Sequence, residues 1–121
     1  MIESDTNSAQ FWTALDTLIS ESEIVIDRLK GSRHPHYHDT VYPLDYGYLK
    51  NTTAMDGGGI DIWRGSDPAG LIDAIMCIVD LAKRDSEIKL LIGCTETEKI
   101  EVYQVHNSTG FMKGILIRRP L

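Results

Sequence analysis

A chain of 121 residues, 42% hydrophobic and 25% charged, fits one domain and can bury roughly two-thirds of its unfolded surface. It therefore needs neither disulfides nor a structural metal to fold. A formal net charge of -6 argues against non-specific binding to nucleic acid or to an anionic membrane, since both need a positive surface. An acidic chain that handles phosphates needs cations between itself and its ligand.

The N-terminal stretch MIESDTNSAQ is polar and acidic, without the basic start and apolar run of a signal peptide. No apolar stretch approaches the roughly 18 residues of a membrane span, so a cytoplasmic protein is expected. Residues 8–20 read as an amphipathic helix. Phe11, Trp12, Leu15, Leu18 and Ile19 recur at helical spacing, and Ser8 is a candidate N-cap. Ile24-Val25-Ile26 reads as a strand of β-branched residues, and Lys30 to Thr40 as a polar loop or edge hairpin broken by Gly31 and Pro35. Ile60 to Trp63 is a second strand, framed by glycines on both sides.

Gly70 to Val79 is ambiguous. Asp67-Pro68 would cap a helix, while Ile75, Cys77 and Val79 alternate as in a strand. Lys89 to Ile92 reads as a strand, so 74–93 is a candidate hairpin with a polar tip at 82–87. Thr95-Glu96-Thr97-Glu98 is a capping box opening a helix to about His106, which Gly110 ends before a final strand from Phe111 to Ile117. Cys77 and Cys94 lie in apolar runs and read as buried, reduced thiols. Trp12, Trp63 and Phe111 read as core. The sum is one α+β domain over 1–121, with an N-terminal helix to residue 21, a barrel core over 22–93, and a helix plus final strand over 95–121. The N-terminal helix would pack on its own barrel or on a second subunit, leaving a homo-oligomer open.

The densest chemical signal runs from Tyr42-Pro43-Leu44-Asp45-Tyr46-Gly47-Tyr48 to Asp56-Gly57-Gly58-Gly59-Ile60-Asp61. Carboxylates that leave a glycine turn and continue five residues later into a strand can converge on one cation. Magnesium takes such oxygen ligands and keeps waters and phosphates in its shell. Asp-Gly-Gly-Gly by itself is more often only a turn. His34, His36 and His38 alternate, so on an extended strand they would share a face suited to a transition metal, although three histidines around a proline are more often solvated.

The combination resembles the soluble inorganic pyrophosphatases, whose pattern is Tyr-Pro-x-x-Tyr-Gly-Tyr/Phe, a threonine-containing spacer and Asp-Gly-Asp-x-x-Asp. Tyr42, Pro43, Tyr46, Gly47 and Tyr48 match in order; Thr52 and Thr53 fall in the spacer; Asp56 and Asp61 take the first and last acidic positions. Ile78 to Lys89 is similar to the family's Met-x-Asp…Asp-x-Lys hairpin, with Asp80 as the first aspartate and either Asp85 or Glu87 as the second. The likeness covers about residues 22–93.

The resemblance implies a small OB-like β-barrel of short antiparallel strands, with an N-terminal and a C-terminal helix packed outside. It also implies a magnesium-dependent hydrolase (manganese as an alternative) that cleaves diphosphate, or another small phosphorylated substrate, by metal-activated water. On that pattern Asp56, Asp61 and Tyr46 are catalytic. Asp56, Asp61, Asp80, Asp85 and Asp27 hold or line the metal site, and Lys89, Arg33, His36 and Tyr48 address phosphate.

The departures are specific. The middle aspartate, which contacts the attacking water in the family, is Gly58 here, and losing a general base typically costs about 10²–10⁴ in rate. His36-Tyr37-His38 stands where the family has Lys-Tyr-Glu. The hairpin that carries a phosphate-binding arginine is missing, leaving Arg33 or Arg28 to compensate. The alternative reading is a non-catalytic homologue that keeps the barrel and binds a phosphate ligand or a protein partner; a third is a hydrolase of a different phosphorylated compound, since the missing hairpin widens the pocket.

Overall fold

The computed structural model describes residues 2–54 and 57–121, with residues 2–7 as backbone only. Helix α1 spans Ile2–Ser20, followed by strands β1 (Ile24–Arg28), β2 (Asp45–Leu49), β3 (Ile60–Arg64), β4 (Ile72–Asp80) and β5 (Asp85–Ile92). Helix α2 (Glu96–Val105) and strand β6 (Met112–Arg118) complete the chain. The class is α+β. Six strands form one sheet in the order β1-β2-β3-β5-β4-β6, an OB-like arrangement that stays open between its β1 and β6 edges. All neighbours are antiparallel except β3 and β5. Among the described residues no helix is long and apolar enough to cross a membrane.

Successive side chains of a strand point to opposite faces, and each face of this sheet has its own core. Trp63, Ala74, Met76, Ile78 and Leu91 pack with Tyr42, Leu44 and Val102 of α2 on one side. Ile62, Ile75, Leu90 and Ile92 pack with Leu49 and Trp12 of α1 on the other. Alternation along β4, with Ala74, Met76 and Ile78 on one face and Ile75 and Cys77 on the other, is how a strand covered on both sides reads.

Several local expectations hold and several move. Helix α1 begins at Ile2 and runs through Ser8, the expected N-cap. The ambiguous run resolves as strand over Ile72–Asp80, because Asp67 closes a turn by accepting the Ala69 N–H instead of capping a helix. The β4–β5 hairpin turns at 81–84, earlier and tighter than expected. Asp80 Oδ1 accepts the backbone N–H groups of Ala82 and Lys83, 2.9 Å from each, and fixes that turn. Ser86 and Glu87 are therefore strand residues.

The capping box forms as read. Thr95 Oγ1 accepts from the Glu98 N–H, and the Glu98 carboxylate accepts from the Thr95 N–H. The 30–40 segment is a loop closed by backbone bonds between Gly31 and Tyr42, Tyr42 and Ser32, and His34 and Thr40. One bridge, Arg33 to Val41, gives it hairpin character.

Candidate functional site

A cavity of about 850 Å³ opens on the α2 face of the sheet. Its floor comes from β2, β4 and β5, one wall from the 34–40 loop, and another from the end of α2 and the segment entering β6. Tyr46, Asp80, Asp85, Glu87 and Lys89 line it, together with Arg28, His36 and Lys83.

At the centre Lys89, only 6% exposed, gathers three oxygen groups. Its ammonium donates to Asp61 Oδ2 at 2.8 Å, to Glu87 at 2.7 Å and to the Tyr46 hydroxyl, while Tyr46 donates to Asp61 Oδ2 at 2.8 Å. β-Geometry brings them together. Glu87 and Lys89 are two residues apart on β5, and Tyr48 pairs with Asp61 across β2 and β3, leaving Tyr46 two residues along on the same face. Burial acts to strip the charge from Lys89, but the Tyr46 oxygen and the Asp61 and Glu87 carboxylates together outweigh it, and the group stays an ammonium well above its ordinary range. Burial pushes the Tyr46 hydroxyl up so that it remains a phenol.

Beside this cluster, the Trp63 indole N–H donates to His106 Nε2 at 3.1 Å. Nε2 must then accept, and the ring proton sits on Nδ1, 3.4 Å from the Met112 sulfur. Burial, reinforced by the Lys89 charge, lowers the His106 pKa to about 3, so the imidazole is neutral. Cys94 is pushed up to about 12 by burial and by the Glu98 and Asp73 carboxylates, which removes it as a nucleophile.

The expected site residues fall into three groups. Asp61, Tyr46, Lys89, Asp80, Asp85 and His36 meet at or beside the cavity. Asp27 is exposed on a β-bulge of β1; Arg33 is exposed and donates to the His38 carbonyl at 2.8 Å; Tyr48 lies farther along β2. None of these three lines the cavity. Asp56 lies outside the described residues. Arg28, and not Arg33, faces the cavity.

Arg118 and Arg119 near the C-terminus pair with Glu96 and Asp16. Both candidates for the second acidic position of the hairpin, Asp85 and Glu87, line the cavity. Lys83, His106 and Thr109 carried no sequence signal; they arrive there only through the turn at 81–84 and the packing of α2. Phe111, expected in the core, lines the cavity as well.

The donors on the floor are carboxylate and phenol oxygens, the hard ligands that suit magnesium. Among the described residues no three His, Cys, Asp or Glu side chains are grouped to hold an ion. Asp61 is engaged by two donors and Asp80 Oδ1 by the hairpin turn. Magnesium thus fits the chemistry of the donors, while the described carboxylates reach it only once Asp61 is released from Lys89. The histidines do not form a metal triad: His34 Nδ1 accepts from the His36 and Tyr37 N–H groups, and His38 Nε2 faces the Pro35 carbonyl.

No family model and no curated protein matches the chain. Solved structures do. An inorganic phosphatase from Anaplasma phagocytophilum superposes with a TM-score of 0.54 at 13% identity, covering 77% of this chain and 80% of that one. An inorganic pyrophosphatase from Helicobacter pylori gives a TM-score of 0.54 at 15% identity, covering 80% and 82%. At such identities the likeness is one of fold.

Proposed function

We propose that the chain is a magnesium-dependent phosphoanhydride hydrolase of the pyrophosphatase type, which splits diphosphate or a related small phosphate by attack of water. The carrying observation is the cavity itself, whose lining combines carboxylates from Asp80, Asp85 and Glu87 with cations from Arg28, Lys83 and Lys89. Water adds to one phosphorus, the bridging P–O bond breaks, and the two phosphates share the water's protons. A magnesium ion carried by Asp61 and Asp80, with Asp56 as a further ligand, would neutralise phosphate oxygens and acidify the water; manganese would serve similarly.

The remaining chemistry belongs to side chains. Lys89 and Tyr46 keep their protons and act as donors. Arg28 and His36 orient the phosphates. Gly58 offers no carboxylate, and Asp61 is held by two donors. The Asp85 side chain makes no hydrogen bond or ion pair among the described residues, and it is the floor carboxylate left to accept the water's proton. The free Cys77 and Cys94 thiols suit a cytoplasmic setting.

Phosphate release from diphosphate with magnesium or manganese, at neutral to mildly alkaline pH, tests the reading. Asp85→Asn is expected to lower the rate by about 10²–10⁴, and an inert, well-folded parent would overturn it. The Lys89 bridge between Asp61 and Glu87 favours a second reading, a binding protein whose metal carboxylates are already neutralised. A Gly58→Asp variant that gains hydrolysis over an inactive parent would select it.

A further inference from the structure

The cavity is larger than a bare diphosphate requires. At about 850 Å³ it lies in the range of pockets that enclose drug-sized ligands. Part of its wall is aromatic and serves no phosphate. Tyr37, 53% exposed, and Phe111 lie with ring centroids 6.1 Å apart and planes inclined by 38°. Exposed aromatic faces beside cations are the usual means of holding a nucleobase, because every base has a π-face to stack. Thr109 lines the same cavity, and its hydroxyl oxygen is buried without a hydrogen-bond partner among the described residues. A buried hydroxyl left unpaired costs stability, and a ligand edge that pairs with it removes that cost. Arg28 and Lys83 supply positive charge in the same space, with the His36 imidazole beside them, and all three lie close enough to act on His34.

We infer that the cavity accommodates a nucleoside di- or triphosphate, its base laid against Tyr37 and Phe111 with a polar edge at the Thr109 hydroxyl, and its phosphates directed to Arg28, His36 and Lys83. The inference rests on the phosphoanhydride reading above and narrows its ligand.

Calorimetric titration with ADP and with diphosphate, each with magnesium, tests it. ADP is expected to bind at least tenfold more tightly. Tyr37→Ala and Phe111→Ala should each weaken ADP by about tenfold and leave diphosphate unchanged, while Tyr37→Phe retains ADP binding. Thr109→Val should weaken ADP severalfold without lowering the melting temperature, since no protein bond is lost. Should Phe111→Ala not fold, Tyr37→Ala, which removes a half-exposed ring, carries the test alone. Equal binding of the two ligands, or ADP binding indifferent to Tyr37→Ala, overturns the inference. The two readings fail separately. Nucleotide bound through Tyr37 without phosphate release sinks the hydrolase, whereas diphosphate turnover without nucleotide binding sinks the nucleoside ligand.

Discussion

Lys89 is a buried cation whose partners are themselves mostly covered, with Asp61 and Glu87 side chains at 25% and 17% exposure. Removing one member of such a set is worse than never having built it, because the survivors keep their desolvation cost. Lys89→Met should destabilise the fold by about 3 kcal/mol in urea unfolding. Magnesium should then raise the melting temperature of the variant more than that of the parent, since two carboxylates have lost their ammonium. His106 gives a second residue-scale prediction. Its pKa falls from an ordinary 6.5 to about 3. Below pH 6.5 the unfolded chain takes up a proton that the native site refuses, so stability is complete above 6.5 and declines as pH falls toward 3. The slope approaches about 1.4 kcal/mol per pH unit inside that window. Urea unfolding across the window checks it, and His106→Gln should flatten the dependence.

At the scale of elements, the Tyr-Gly-Tyr signature proves to be as much about strand pairing as about chemistry. A Cβ on Gly47 would stand 1.8 Å from the Val25 carbonyl oxygen and 2.8 Å from the Ile26 Cα, so β1 could not lie against β2. Gly47→Ala should cost about 1–3 kcal/mol or more by forcing that pair apart, and loss of amide-exchange protection confined first to β1 would show the cause. Thr52 is likewise structural. It donates to the Leu49 carbonyl and accepts from the Ile60 N–H, tying the end of β2 to the start of β3. These roles explain what the sequence made legible. Local rules identified the capping box, the β-branched strand at Ile24, and a motif whose Tyr46 and Asp61 share a hydrogen bond. Three features stayed hidden because distant segments create them: the parallel β3–β5 pairing, the arrival of His106 over Trp63, and the Asp80-capped turn that sends Lys83 into the cavity.

For the whole molecule, the arrangement separates stability from ligand contact. The α1 face holds Trp12, 4% exposed, over Ile62, Ile75 and Leu90. Arg119 fastens α1 to the end of β6 with two 2.8 Å bonds to the Asp16 carboxylate. The cavity, with its cations from Arg28 and Lys83, lies on the opposite face under α2. A two-sided sheet transmits large rearrangements, but a cavity left by a truncated side chain is absorbed locally. Trp12→Ala should therefore cost about 3–5 kcal/mol of stability while leaving affinity for a magnesium–phosphate ligand within about twofold at temperatures where the variant is folded. Arg28→Ala should do the reverse, with little change in the unfolding midpoint and a marked loss of affinity that added salt reproduces in the parent. Parallel unfolding and titration of the two variants would check this, because a single coupled core would make both measurements fall together in both proteins.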